Sequence, residues 1–249
     1  MGADLLVVFA YGRIFGPRFL SVFPAGGINC HPSLLPRYRG PSPIPAALLA
    51  GDEVTGLSVQ TLSLQMDAGD LLLTRERNIL PGDTTESLSA WAAEEGAKAL
   101  CAAVDAIVDG VASPVPQGTD GLSYCRFLRK ADSWISWDMP ARLIARQVAA
   151  YHPWPGSTAL LHGEMIRIRG AEVVTAAPPA VGAHGTDLAP GTVLSVDSAG
   201  RLLIQTTADL LGVRFLQRQQ RRELAATDFV RGYPAIVGST LHRPDGETV

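Results

Sequence analysis

Apolar positions cluster in short blocks whose period changes along the chain. Residues 5–10 (Leu-Leu-Val-Val-Phe-Ala) are continuously apolar and rich in β-branched side chains, the pattern of a strand buried on both faces. Gly27–Cys30 predicts a second short strand, and Ile44–Leu49 a short helix after a Pro-rich loop. In residues 56–64, Leu57, Val59 and Thr61 alternate with Ser58, Gln60 and Leu62, which is strand spacing. Residues 70–79 predict another strand. Asp83 and Glu86 resemble a capping box, opening a helix whose apolar stripe (Leu100, Ala103, Val104, Ile107, Val108) ends near Gly110. A flanked strand pattern at the very start of the chain predicts that the chain begins mid-domain and that 5–10 lacks a neighbour.

Residues 113–133, punctuated by Pro114, Pro116, Gly118 and Gly121, have the look of a connection. A helix is expected from Asp138-Met139-Pro140 to about Tyr151, stopped by His152-Pro153-Trp154-Pro155-Gly156. Strand patterns then dominate at 157–161, 165–174, 191–197, 201–206 and 211–216, with an Ala/Pro/Gly-rich loop at 175–190. So many short strands in so little chain predict a small β-barrel of the OB type. The expected organisation is an α/β portion over 1–118, a linker over 119–134 and a β portion over 135–249.

The 249 residues are 47% hydrophobic and 18% charged, as in a globular protein with an ample core. No apolar run approaches the roughly 20 residues that span a bilayer. The N-terminus lacks a basic, apolar leader pattern. Cys30, Cys101 and Cys125 are an odd, scattered set that suggests free thiols and no metal site. Charge is uneven: residues 1–120 hold 7 Lys/Arg against 13 Asp/Glu, and residues 121–249 hold 14 against 11. The basic second part hints at an anionic partner; a swing of this size equally arises with no functional meaning.

The chemistry-bearing stretch is Asn29-Cys30-His31-Pro32-Ser33-Leu34-Leu35-Pro36, followed downstream by Asp67-Ala68-Gly69-Asp70. Asn29 and His31 are two apart, so on a strand they share a face and Cys30 takes the other. An amide donor, an imidazole and a carboxylate make an acyl-transfer set. Taken singly, Asn29 reads as a strand-end residue capping a turn and His31 as a satisfied structural histidine. Arg167 and Arg169, with the run Arg218, Arg221 and Arg222, are either a solvated basic face or phosphate contacts.

The stretch from Asn29 through Pro36-Arg37-Tyr38-Arg39-Gly40, together with Asp67-Ala68-Gly69-Asp70, resembles the two signatures of the formyltransferases that use 10-formyltetrahydrofolate. Within that family the likeness is to the methionyl-tRNA branch, through Ile135-Ser136-Trp137, Pro153-Trp154-Pro155-Gly156, Leu216-Gln217 and Asp228-Phe229-Val230-Arg231-Gly232. The resemblance implies an N-terminally truncated Rossmann-like catalytic domain followed by the OB-like barrel, since family members carry an additional N-terminal segment. It implies formyl transfer to the amino group of initiator methionyl-tRNA, with Asn29 as oxyanion donor, His31 as proton carrier and Asp67 accepting a hydrogen bond from His31. Folate contacts are implied at Ser33, Leu34, Leu35 and Pro36, and at Tyr11, Gly12, Ile14 and Gly69; tRNA contacts are implied at Arg167, Arg169, Arg218, Arg221 and Arg222. Also implied are a monomer with no metal and no membrane, in a bacterial cytoplasm or a mitochondrial matrix. Siblings acting on another amine, a formyltetrahydrofolate hydrolase, or an inactive shortened product are the alternatives.

Overall fold

The computed structural model describes residues 2–13, 15–175 and 188–244. It divides into two compact units, Met1–Phe127 and Leu128–Val249; the division falls inside the span 119–134 read as a linker.

The first unit holds β1 (Leu6–Phe9), α1 (Pro17–Leu20), β2 (Gly27–His31), α2 (Pro43–Ala50), β3 (Val54–Thr61), β4 (Leu71–Asn78) and α3 (Thr85–Val108). Its four strands lie in the order β1-β2-β3-β4. β1 and β2 run parallel, whereas β2-β3 and β3-β4 are antiparallel, so the sheet is mixed. Strand alternation explains its two faces. Ile28, Cys30, Leu57 and Val59 turn to one side and pack with Ala99, Leu100 and Ala103 of α3; Asn29, His31, Ser58 and Gln60 turn to the other. The helix cap lies one residue beyond the expected one. Thr84 accepts from the Ser87 amide and Ser87 Oγ from the Thr84 amide, while Asp83 instead takes bonds from Arg77 and the Leu80 amide. β1 differs from the expectation of burial on both faces: it sits at the edge of the sheet, and Val7 is 45% exposed.

The second unit comprises α4 (Ala141–Ala150), β5 (Ser157–Leu161), β6 (Glu164–Val174), β7 (Val193–Val196), β8 (Leu202–Gln205), β9 (Leu210–Arg218), β10 (Glu223–Ala225) and α5 (Ala226–Gly232). The strands run β5-β6-β9-β8-β7, with β10 also on β9. Ile166, Ile168, Leu202, Ile204, Leu211, Val213 and Leu216 bury themselves against Ile144 and Val148 of α4 and Phe229 of α5. β10 and α5 follow the basic run with too few residues to show a period in the sequence. The strand pairing does not establish the expected OB-like barrel, since no pairing joins β5 to β7 among the described residues and the sheet stays open. The segment 238–242 does bond to both flanks. Leu160 and His242 exchange amide hydrogen bonds of 2.8 and 2.9 Å, and the Val193 amide donates to Ser239 O at 2.9 Å. No helix among the described residues is long and apolar enough to cross a membrane.

Candidate functional site

The register of the first sheet sets the site. Asn29 of β2 pairs with Gln60 of β3, and His31 pairs with Ser58. Both pairs therefore point away from α3, at the strand ends where the chain leaves into loops. A cavity of about 320 Å³ opens there; Asn29, His31, Gln60, Asp67, Tyr11 and Phe15 are among its walls. The three residues expected to act together are thus brought to one cavity. Asn29 is half-buried and its side-chain amide has no hydrogen-bond partner among the described residues, so its two donors are open to a ligand.

His31 is buried, and its ring is held at both nitrogens. Nε2 lies 2.9 Å from the carbonyl of Tyr38; a carbonyl only accepts, so Nε2 carries the hydrogen. Nδ1 faces Asp67 Oδ2 at 3.6 Å. That is an ion-pair distance and not a hydrogen bond, which corrects the expected His31–Asp67 hydrogen bond: the bond goes to the loop carbonyl. Burial pulls the imidazole below its ordinary pKa, outweighing the Asp67 carboxylate and the Tyr38 carbonyl that act to raise it. Asp67 was expected to favour the charged ring; here desolvation wins. Cys30, on the α3 face, has its thiol pushed up to about 12 by burial, which keeps it protonated.

Asp67 occupies the left-handed region, φ 50°, which Asp tolerates better than most side chains. The backbone amide of Gly40 donates to its Oδ2 at 2.8 Å, and Gln60 Nε2 donates to its Oδ1 at 3.1 Å. Gln117 reaches the same loop, donating to the carbonyls of Asp67 and Gly69. Gly40 closes the signature stretch, whereas Gln60 and Gln117 carry no site role in the sequence reading. Gln60 was legible as the strand partner on the Asn29 face; Gln117 was not, because it comes from a Pro/Gly-rich stretch that pairs back onto the unit. Val115 and Leu71 exchange backbone bonds, as do Arg39 and residues 123 and 125.

The folate-contact expectations divide. Tyr11 and Gly12 line the cavity, and Ile14 lies outside the described residues. Ser33, Leu34, Leu35 and Pro36 are not among its walls. They build the turn behind it: Ser33 Oγ donates to Arg37 O, Ser58 Oγ donates to Ser33 O, and the Leu35 amide donates to Ser58 Oγ. Leu34 fills the space over Gly56. Gly69 is also off the cavity wall, and its missing Cβ serves packing. A methyl there would fall 1.7 Å from the carbonyl oxygen of Thr61. Gly69→Ala is accordingly expected to destabilise the first unit by roughly 1–3 kcal/mol, read as a lower urea midpoint; an unmoved midpoint would contradict the close approach.

In the second unit, Arg167 and Arg169 alternate with buried Ile166 and Ile168 and so face outward. Arg169 is tied to Glu223 at 2.7 Å and to His152, and Arg218 grips Glu164 through two bonds of 2.8 and 2.6 Å. Arg167, Arg221 and Arg222 are exposed with no side-chain hydrogen bond or ion pair among the described residues. Of the five arginines expected to meet tRNA, these three are the ones whose charge is not already answered by a carboxylate. Among the described residues no cluster of His, Cys, Asp or Glu has the arrangement of a metal site.

Residues 1–104 match the formyl transferase family and residues 128–234 the formyl transferase C-terminal domain. The methionyl-tRNA formyltransferase of Treponema denticola is 40% identical over 232 residues, covering 93% of this chain and 71% of that protein. The Acidovorax ebreus enzyme of the same name is 36% identical, covering 96% and 72%. Among solved structures, a variant of HypX from Aquifex aeolicus superposes with a TM-score of 0.67 at 18% identity, over 94% of this chain and 41% of that one. The sugar 3N-formyl transferase WlaRD superposes with a TM-score of 0.63 at 13% identity, over 88% and 73%; at such identities the likeness is one of fold. With both halves matched and relatives at 36–40% identity along nearly its whole length, the chain belongs to the methionyl-tRNA formyltransferase family.

Proposed function

We propose that this chain transfers the formyl group of 10-formyltetrahydrofolate to the free amino group of initiator methionyl-tRNA. The observation that carries it is the convergence of an unpartnered Asn29 amide, a buried His31 and the Asp67 carboxylate on one cavity, in a chain 40% identical to an enzyme of that name. The cavity suits the folate co-substrate, which supplies an activated formyl carbon: backbone at Tyr11-Gly12 is exposed to it, and Asn29 offers free donors.

In the transfer, a C–N bond forms between the amine and the formyl carbon, and the bond to the folate nitrogen breaks with its electron pair. The amine gives up one proton and the folate nitrogen gains one, so no oxidant or reductant is needed. Asn29 donates to the formyl oxygen as negative charge gathers there. His31, kept neutral by burial, takes the amine proton at Nδ1. The resulting imidazolium lies between two acceptors, Asp67 Oδ2 and the Tyr38 carbonyl, which stabilise it until the proton passes to the leaving nitrogen.

The outward cations Arg167, Arg221 and Arg222 suit phosphate contacts with tRNA, and Arg169 and Arg218 could join only by exchanging their carboxylate partners. An OB-like reading of the second unit is supported by segment 238–242, which bonds to both flanks of the open sheet. A cytoplasmic setting accords with three unpaired cysteines. The test is a formylation assay offering charged initiator tRNA alongside small amines such as amino sugars. Turnover is expected with methionyl-tRNA; turnover confined to a small amine would overturn the reading.

A further inference from the structure

Arg39 is a cation only 8% exposed that pairs with no carboxylate among the described residues. A buried charge of this kind is costly unless its donors are used. Its Nε and Nη2 both donate to Oε1 of Gln117, at 3.2 and 2.7 Å, and Nη1 donates to the Tyr124 hydroxyl at 3.4 Å. A guanidinium has donors only, so it dictates which way the Gln117 amide faces. The Gln117 nitrogen must then look inward, where it meets three acceptors: the Asp67 and Gly69 carbonyls at 2.9 and 2.7 Å and Gln60 Oε1 at 3.1 Å. Gln60 Oε1 also accepts from the Gly69 amide at 3.1 Å. The Gln60 nitrogen is left for Asp67 Oδ1, and Gly40 N–H holds Oδ2. Both oxygens of Asp67 therefore meet groups that only donate.

We propose that Arg39 and Gln117 are positioning residues for the proton-transfer pair: acting through Gln60, they fix the orientation of the Asp67 carboxylate and hence the charge that His31 feels. The donor-to-acceptor order runs one way from Arg39 through Gln117 and Gln60 to Asp67, whose carboxylate faces His31 Nδ1 at 3.6 Å, and each amide has one orientation that satisfies it. Among the described residues two titratable side chains lie about the imidazole and its carbonyl partner, one of them the end of this chain of bonds. Asp67 faces Nδ1, and the Cys125 thiol sits against the Tyr38 carbonyl with its pKa raised by burial. The kinetic consequence rests on the formyl-transfer reading; the effect on His31 itself does not.

The experiment is a titration of His31 by NMR on histidine-labelled full chain, beside steady-state kinetics with methionyl-tRNA. In Gln117→Leu, Asp67 loses its support, so the His31 midpoint is expected to move to lower pH. The kcat is expected to fall roughly 10- to 100-fold with KM for methionyl-tRNA little changed. Should Gln117→Leu fail to unfold cooperatively, Gln60→Leu breaks the same connection inside the loop and must give the same shift. An unmoved or raised His31 midpoint in a folded variant overturns the proposal and leaves these bonds as scaffold. A parent chain inactive on methionyl-tRNA would count against the function, while the His31 titration would still decide the positioning role.

Discussion

Asn29→Ala is expected to slow formyl transfer roughly 10²- to 10³-fold while leaving thermal stability within about 0.5 kcal/mol of the parent. The two halves of that expectation have separate causes. Asn29 makes no side-chain hydrogen bond among the described residues, and it points away from the α3 core that Ile28 and Cys30 help build. Folding therefore loses little when the amide goes. The transition state loses a donor aimed into a partly desolvated cavity, where a charge-assisted hydrogen bond is worth more than in water. Single-turnover rates with thermal unfolding on the same samples check both. A large stability loss would mean that Asn29 is structural; a rate within a few-fold of the parent would remove the oxyanion role.

His31→Ala is expected to lower kcat by roughly 10²- to 10⁴-fold and, unlike Asn29→Ala, to cost stability as well. The imidazole is buried and donates to the Tyr38 carbonyl, so its removal leaves that acceptor with only the weak Cys125 thiol donor, at about 1–3 kcal/mol. The fold should remain cooperative, and rates measured well below the midpoint of unfolding isolate the chemical loss. The pH dependence should change in a defined direction. Burial holds the parent ring below its ordinary pKa, so the neutral base persists down to lower pH than an exposed histidine would allow; the alanine variant should lose that titration from its rate profile. A parent-like profile in the variant would assign the proton transfer to another group.

The proposed catalytic trio was legible because it depends on strand alternation and on residue types that rarely coincide. Asn29 and His31 at i and i+2 share a face whatever the sheet around them, and the Asp67 loop follows the next strand. Helix α3, the strands of the first unit and most of those in the second were legible for the same reason, their periods being local. What surrounds the trio was not. Gln60 acquires its place from the pairing of Asn29 with Gln60, and Gln117 from a stretch that folds back onto Leu71 and Arg39. Ser33, Leu34, Leu35 and Pro36 read as ligand contacts because they adjoin the motif, yet the chain turns there to brace β3 through Ser58. Gly69 read as an opening for a ligand and is an opening for Thr61.

By itself, then, the amino-acid order determined the types of the elements, and the face and the three side chains to which the chemistry is assigned in the proposal, since each follows from spacing along a few residues. Only the tertiary structure decided which hydrogen bonds those side chains make. The His31 partner is the Tyr38 carbonyl, the Asp67 side-chain partners are Gly40 and Gln60, and Arg39 is answered by an amide and a phenol hydroxyl, with no carboxylate among the described residues. Those choices depend on strand register and on loop closure over long separations in sequence, where burial makes every unpaired donor or acceptor costly and so selects the one arrangement that satisfies them together.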